Sequence, residues 1–216
     1  MDLTHENINT YIRRFIQHPH PVLATLEADA AARGIPIIGP WEGQLLALIA
    51  RSVEARNILE LGMATGYSAI WLALATAEWG GQVTTIDQDP VRVREAQQHF
   101  RDAGVSDRVR IVQGTALSVL QEITGPFDLI FNDILSYLQD IDEANQLRQA
   151  CLERLRPGGL LLCDNALRGG RVMASSSKPT VQATQAFIEA VLQEPQLDTS
   201  LIPIRDGILV CRKPIR

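Results

Sequence analysis

Short apolar runs alternate with amphipathic stretches along most of this chain, and the alternation sets in at Ile58. Ile58-Leu59-Glu60-Leu61, Val83-Thr84-Thr85-Ile86, Val109–Val112, Leu129–Phe131 and Leu160–Cys163 read as strands, each brief, apolar or β-branched, and bounded by turn residues. Helical patterns lie between them. Tyr67–Glu78 follows a glycine-rich turn, and a further helix is opened by Pro90, a residue suited to a first helical turn. Strand–helix alternation over this length predicts an α/β fold with a parallel sheet covered on both faces. The end of the chain reads differently. Leu201–Pro203, a turn at Arg205-Asp206-Gly207, and Ile208–Cys211 form a hairpin, so the last strand is expected to be antiparallel.

Before Ile58 the pattern is helical. Leu3–Ile16 and Val22–Arg33 read as two helices split by His18-Pro19-His20-Pro21, whose prolines interrupt the backbone hydrogen bonding. Gly34-Ile35-Pro36-Ile37-Ile38-Gly39-Pro40 reads as a rigid loop leading into a third helix near Gly43–Ser52.

Composition narrows the setting. A chain of 216 residues with 46% hydrophobic content is long enough to bury a sizeable sheet as one domain. No run approaches the roughly 18 apolar residues of a membrane span, and the N-terminus lacks the pattern of a secretory signal. The expectation is a cytoplasmic protein without a membrane partner. A net charge of -5 gives no general attraction to nucleic acid. Cys151, Cys163 and Cys211 lack paired metal-site spacing and read as buried thiols. Lys178 and Lys213 are the only lysines in the chain.

The turn Glu60-Leu61-Gly62-Met63-Ala64-Thr65-Gly66-Tyr67-Ser68 joins a predicted strand to a predicted helix. Glycines there allow a sharp turn and close approach to a ligand, beside the free N–H groups of the helix start. One strand later, Asp87 stands where an acid can accept from both ribose hydroxyls of a nucleoside cofactor. The spacing is G-x-x-x-G and lacks the third glycine of a pyrophosphate cradle, which favours S-adenosylmethionine over a dinucleotide. Its carboxylate suits the helix N-terminus, and Glu60 is an acid near its cationic end. The plainer alternative makes Gly62 and Gly66 turn residues and Asp87 a helix cap.

Two further strand ends carry oxygen donors: Asp133 after Phe127-Asp128-Leu129-Ile130-Phe131-Asn132, and Asp164-Asn165 after Leu160–Cys163. Strand carboxyl ends converge on the crevice of an open parallel sheet. Two carboxylates and an amide make a hard oxygen set suited to Mg²⁺, Mn²⁺ or Ca²⁺. Alternatively, Asp133 contacts the cofactor and Asp164-Asn165 simply begin a turn.

From about Gly34 to Lys213 the chain resembles the cation-dependent O-methyltransferases, the family of caffeoyl-CoA and catechol O-methyltransferases and their bacterial relatives. The resemblance is carried by Gly39-Pro40-Trp41-Glu42-Gly43-Gln44, the Glu60–Ser68 turn, Phe127–Asp133, Arg156-Pro157-Gly158-Gly159, Asp164–Val172 and Leu201–Gly207. It implies a Rossmann-like methyltransferase fold: a seven-stranded, mostly parallel sheet with its final strand reversed and helices on both faces. Residues 35–216 would form the core and residues 1–34 would cap the site or a dimer interface. It implies that Gly62, Met63 and Ser68 line the methionine part of the cofactor with Glu60 close by. Asp87 would hold the ribose, Ala116 after Gly114 would border the adenine, and Ile38 would contribute from a closing loop. Asp133, Asp164 and Asn165 fall on the family's metal ligands. A homodimer acting on a small hydroxylated molecule is the corresponding expectation.

The chain departs from the family where that pattern continues Asp-Ala-x-Lys and the lysine is taken as the base. Here the residues are Asp133-Ile134-Leu135-Ser136-Tyr137, so Ser136 stands at the lysine position, and a neutral hydroxyl is a poor general base. Metal and water would then serve an acidic phenol, or Tyr137, His18 or His20 would supply the base. Arg168 replaces a residue often aromatic in relatives and reads as a solvated loop arginine, with an anion-binding role as the alternative. Methylation of a modified tRNA base, and cofactor binding without transfer, are the competing functions; the acidic balance argues against the first.

Overall fold

A computed structural model describes residues 10–215. Most of the expected Leu3–Ile16 helix lies outside that span; residues 10–13 are helical. In chain order the main elements are α1 (Val22–Arg33), α2 (Gly39–Ser52), β1 (Asn57–Leu61), α3 (Tyr67–Ala75), β2 (Gln82–Asp87) and α4 (Pro90–Asp102). They continue with β3 (Val109–Gln113), α5 (Ala116–Glu122), β4 (Phe127–Asn132), α6 (Ile141–Arg154) and β5 (Leu155–Cys163). The chain closes with α7 (Pro179–Leu192), β6 (Asp198–Ile202) and β7 (Ile208–Arg212).

The strands form one seven-stranded sheet in the order β3-β2-β1-β4-β5-β7-β6. β7 pairs antiparallel with both β5 and β6, while the ladders from β3 through β5 are parallel. This is the architecture expected above, with the last strand alone reversed. The order of strand addition reverses between the parallel neighbours β1 and β4, which places a crevice at the carboxyl ends of those strands.

Alternation along the strands builds two cores. Ile58, Leu129, Phe131, Leu160 and Leu162 face one side, packed with Leu46, Ile70, Leu72 and Phe100 from the covering helices. Leu59, Leu61, Ile130, Leu161 and Cys163 face the other, packed with Leu120, Leu147, Phe187 and Val191. Each fully buried aliphatic or aromatic side chain contributes about 1.5–3 kcal/mol relative to exposure. Sheets buried on both faces require this apolar continuity. The three cysteines are free and buried, as expected, and burial pushes Cys151 up to about 12.

Several boundaries differ from the sequence reading, among them β6, expected at Leu201–Pro203 and found at Asp198–Ile202. α2 begins at Gly39, not Gly43, because Pro40 sits in the first turn, where its missing N–H costs nothing. Gly43 lies inside that helix, and a Cβ there would stand 2.5 Å from Trp71 Nε1, so the glycine permits close packing of α2 on α3. The helix expected to reach Glu78 stops at Ala75 and continues as a 3₁₀ turn, Ala77–Trp79. β5 starts at Leu155, with a register irregularity opposite β4 between Phe127 and Leu129. Pro157-Gly158-Gly159, part of a segment that carries the resemblance, falls within that irregularity.

Candidate active site

A cavity of 540 Å³ opens at the carboxyl edge of the sheet. One end is built by the β1 and β2 turns. Gly62 has φ +94, and an added Cβ would lie 2.8 Å from Ile134 Cγ2 and 3.0 Å from the Asp133 carbonyl oxygen. Only glycine fits this bend. The N–H groups of Gly62 and Met63 donate to the Ile86 carbonyl at 3.0 and 3.1 Å, pinning the turn to β2. The Asp87 carboxylate accepts from Ala64 N–H at 2.8 Å and from Asp89 N–H at 2.9 Å. Each oxygen therefore retains accepting capacity toward the cavity that Asp87 lines. Gly114 N–H donates to the Asp87 carbonyl at 3.0 Å, bringing Gly114 and Ala116 to the same wall.

β4 and β5 deliver the acidic end. Asp133 N–H donates to the Leu61 carbonyl at 2.9 Å, and Asp164 N–H donates to the Asn132 carbonyl at 3.0 Å. Adjacent strand ends thus bring together side chains far apart in sequence. The Asn165 amide nitrogen donates to Asp164 Oδ2 at 2.9 Å and reaches Asp133 as well. Asn165 adopts φ +61, a left-handed conformation that Asn tolerates better than most residues. Asp133 is held well above the usual carboxylate range by burial, and then by Asp164, Glu42 and Glu60. Asp164 is raised by burial too, opposed by the Asn165 N–H and Arg205.

Ser136 and Tyr137 occupy a 3₁₀ turn, Leu135–Tyr137, and line the cavity beside this cluster. Tyr137 is 57% exposed, at the mouth. The Thr184 hydroxyl of α7 donates to the Leu135 carbonyl at 3.0 Å and fixes this turn from behind. Neither lysine lines the cavity; Lys213 instead donates to the Leu152 and Leu155 carbonyls at 2.7 and 2.9 Å.

Gly62, Asp87, Gly114, Ala116, Asp133, Tyr137, Asp164 and Asn165 therefore share one cavity. Ile38, Glu60, Met63 and Ser68 are buried and do not line it; Ile38 lines a second cavity of 480 Å³ that shares Pro36, Ile37 and Arg205 with the first. Glu60 lies beneath the Gly62 turn, where its carboxylate accepts from the Thr85 hydroxyl. Burial pushes Glu60 up to about 7, opposed by the hydroxyls of Ser68 and Thr85. Side chains alternate along β1, so Glu60 shares the face of Ile58, opposite to Leu59 and Leu61, while the backbone of the Gly62 turn meets the cavity.

The histidines considered as bases lie elsewhere. His18 meets the Glu27 carboxylate at 2.7 Å and packs on Trp71, while His20 accepts from Val22 N–H at 3.2 Å. Neither lines the cavity. Arg168 is buried rather than solvated: its Nε has no hydrogen-bond partner, and its Nη2 donates to the Thr180 hydroxyl at 3.3 Å. Gly169 and Gly170, which follow it, both take left-handed conformations.

Two charged residues enter that the sequence reading did not single out. Glu42, on α2, is fully buried beside Asp164, and Arg205 lines the cavity from the hairpin turn. The first was legible only as part of a matching segment and the second only as a turn residue. Their pairing spans 163 positions and leaves no local signal.

The donor set fits a hard divalent cation. Two carboxylates and an amide converge at one cavity wall, and the carboxylates lie in an environment that resists their joint ionisation. Rotation of the Asn165 amide would replace its nitrogen by its oxygen toward the same point.

Comparison with known proteins finds relatives along nearly the whole chain. A profile of the family described as O-methyltransferase matches residues 17–214. A catechol O-methyltransferase of Niastella koreensis is 32% identical over 204 residues, covering 91% of this chain and 90% of its own. A catechol O-methyltransferase of Mycobacterium tuberculosis is 30% identical over 201 residues, covering 91% and 88%. The crystal structure of an O-methyltransferase from Bacillus cereus in complex with SAH superposes with a TM-score of 0.83 at 28% identity, over 96% of this chain and 97% of that one.

Proposed function

The chain belongs to the O-methyltransferase family and is an S-adenosylmethionine-dependent O-methyltransferase, and from that premise we propose that it uses a divalent cation to methylate a small catechol- or phenol-like hydroxyl compound. The observation that carries this reading is the meeting of Asp133, Asp164 and Asn165 on the wall of the cavity whose other end is formed by Asp87, Gly114 and Ala116.

Asp87 accepts the ribose hydroxyls, and the Gly62 turn lets the backbone lie against the methionine portion of the cofactor. Gly114 and Ala116 flank the adenine. Asp133, Asp164 and Asn165 hold the cation, Mg²⁺ first among the candidates. When bound, the ion supplies positive charge that favours the ionised form of the acceptor hydroxyl. The acceptor oxygen then forms a bond to the methyl carbon as the carbon–sulfur bond breaks, and the electron pair returns to sulfur. The sulfonium becomes a neutral thioether, and the acceptor's proton leaves to water.

The protein's contribution is alignment of oxygen, carbon and sulfur. Ser136 leaves no lysine amine beside the acceptor, so the reading favours hydroxyls acidic enough to ionise without one. Tyr137 contacts the acceptor at the mouth. We take the protein to be a cytoplasmic homodimer; Tyr11, Phe15 and Leu48 leave exposed apolar surface for such an interface, and light scattering tests it. Among the described residues no helix is long and apolar enough to cross a membrane.

The deciding experiment is methyl transfer from S-adenosylmethionine to a panel of catechols and phenols after complete chelation. Loss of turnover on chelation and recovery with Mg²⁺ is expected. Turnover unchanged by chelation refutes the cation and leaves the transferase standing.

A further inference from the structure

Arg205 sits in the turn between β6 and β7 with φ +49, a left-handed conformation that non-glycine residues rarely adopt. The turn aims its guanidinium back under the sheet edge. Nη1 donates to Glu42 Oε2 at 2.8 Å and lies 3.9 Å from Asp164 Oδ2. Nη2 donates to the Ile37 carbonyl at 3.0 Å, in the loop ahead of α2.

Glu42 has 0% exposure, and its second oxygen, Oε1, has no hydrogen-bond partner. A carboxylate in that position is half satisfied. Asp133 and Asp164 stand in the same electrostatic neighbourhood, so three carboxyl groups face one guanidinium. Among the described residues, no other Lys, Arg or His comes within ion-pair distance of Glu42, Asp133 or Asp164.

Buried carboxylates without compensating charge destabilise a fold strongly. A single arginine shared between Glu42 and Asp164 supplies that compensation here. The same electrostatic place is the one a divalent ion held by Asp133, Asp164 and Asn165 would occupy in part. Like charges near one another in a low-dielectric wall repel.

We propose that Arg205 is the internal counter-cation of this pocket: it holds Glu42 and Asp164 together in the ion-free protein and sets a ceiling on the pocket's affinity for a divalent ion. Glu42, a buried carboxyl outside the ligand set, is the opposing half of the device, and Arg205 is the group that favours its charged form. Cation affinity is then set by the balance of two residues that are not ligands. The inference rests on the cation use proposed above.

The test is calorimetric titration of the metal-stripped, full-length protein with Mn²⁺, alongside thermal melts, for wild type, R205M, R205K, E42Q and the E42Q/R205M double variant. R205M should bind Mn²⁺ about tenfold more tightly and E42Q about tenfold more weakly, with the double variant returning toward wild type. R205K, which keeps the charge, should stay near wild type. Metal-free R205M should melt below wild type, and saturating Mn²⁺ should close most of that gap. Equal or weaker Mn²⁺ binding by R205M overturns the proposal. If R205M does not fold, E42Q still decides: unchanged Mn²⁺ affinity in that variant sinks it. Failure of the wild type to bind Mn²⁺ at all overturns the cation reading as well, whereas binding indifferent to both substitutions overturns only the role of Arg205.

Discussion

The side-chain amide of Asn165 donates to Asp133 Oδ1 at 3.0 Å across 32 positions of sequence, joining the ends of two neighbouring parallel strands. The contact exists because β4 and β5 run in register from Leu129 opposite Leu160 to Asn132 opposite Cys163, so the residues that follow must emerge together. A side-chain substitution at either residue acts first on the acidic end of the cavity, while the Asp133 backbone keeps its contact with the β1 turn.

Asp133→Asn is therefore expected to lower kcat/KM by about a hundredfold or more, through loss of alignment at the acceptor. Affinity for S-adenosylhomocysteine should be largely retained. Steady-state kinetics with a catechol, paired with calorimetry, separates the two. Near-normal turnover in this variant would remove Asp133 from the reacting centre.

Asp87→Ala probes the opposite end. The carboxylate organises Ala64 and Asp89 as well as facing the cavity, so its removal should weaken cofactor binding by about 10- to 100-fold, the effect of losing charge-assisted hydrogen bonds. Calorimetric titration with S-adenosylhomocysteine measures it. Affinity within error of wild type would reduce Asp87 to a turn residue.

Gly62→Ala tests the bend itself. With φ +94 and Ile134 Cγ2 only 2.8 Å from the added carbon, the variant should lose about 1–3 kcal/mol of stability. Cofactor affinity should fall with it, because the same turn borders the cavity. Chemical denaturation with and without S-adenosylhomocysteine reads both effects, and an unperturbed variant would show that the turn relaxes freely.

Much of this was readable from the chain because its physics is local. Each strand announces itself as a short apolar run, since a sheet covered on both faces tolerates little else, and the Arg205-Asp206-Gly207 turn marks the reversal before β7. Gly62 and Asp87 were found by their positions at strand ends. The Glu42–Arg205 pair was not, because a buried ion pair joining a helix to a distant hairpin leaves no periodicity behind. Glu60 illustrates the same limit: its place in the turn gives no sign of its full burial or of its pairing with Thr85 on the neighbouring strand. Arg168 reads as a surface residue, because its burial and its contact with Thr180 depend on how a loop meets α7.

Glu60 also gives a pH signature. Its folded value is raised from 4.5 to about 7, so between those values the folded protein holds a proton that the unfolded chain has released. Stability contributed by this group is present below about 4.5 and declines as pH rises through 7, by on the order of 3 kcal/mol in all. Denaturation of wild type and Glu60→Gln across this interval should differ in slope, with the variant flatter. Parallel slopes would assign the titration elsewhere.

Ser136→Lys restores an amine at the mouth of the cavity. With wild type, log kcat/KM should fall as the acceptor hydroxyl becomes less acidic, because no side-chain base intervenes. The lysine variant should flatten that dependence and gain most on the weakest acids. Identical dependences would show that position 136 does not face the acceptor hydroxyl.

The reversed direction of β7 has a consequence for how this scaffold can diversify. A strand running with its neighbours reaches the catalytic rim only at its finish, and everything beyond must turn back into a covering helix. β7 starts at that rim, so the tip of the hairpin, residues 203–207, overhangs the pocket as a tethered finger anchored on both sides by ladder pairs. Lengthening that finger, with Arg205 kept on Glu42, would alter what the pocket admits while leaving the parallel strands in place.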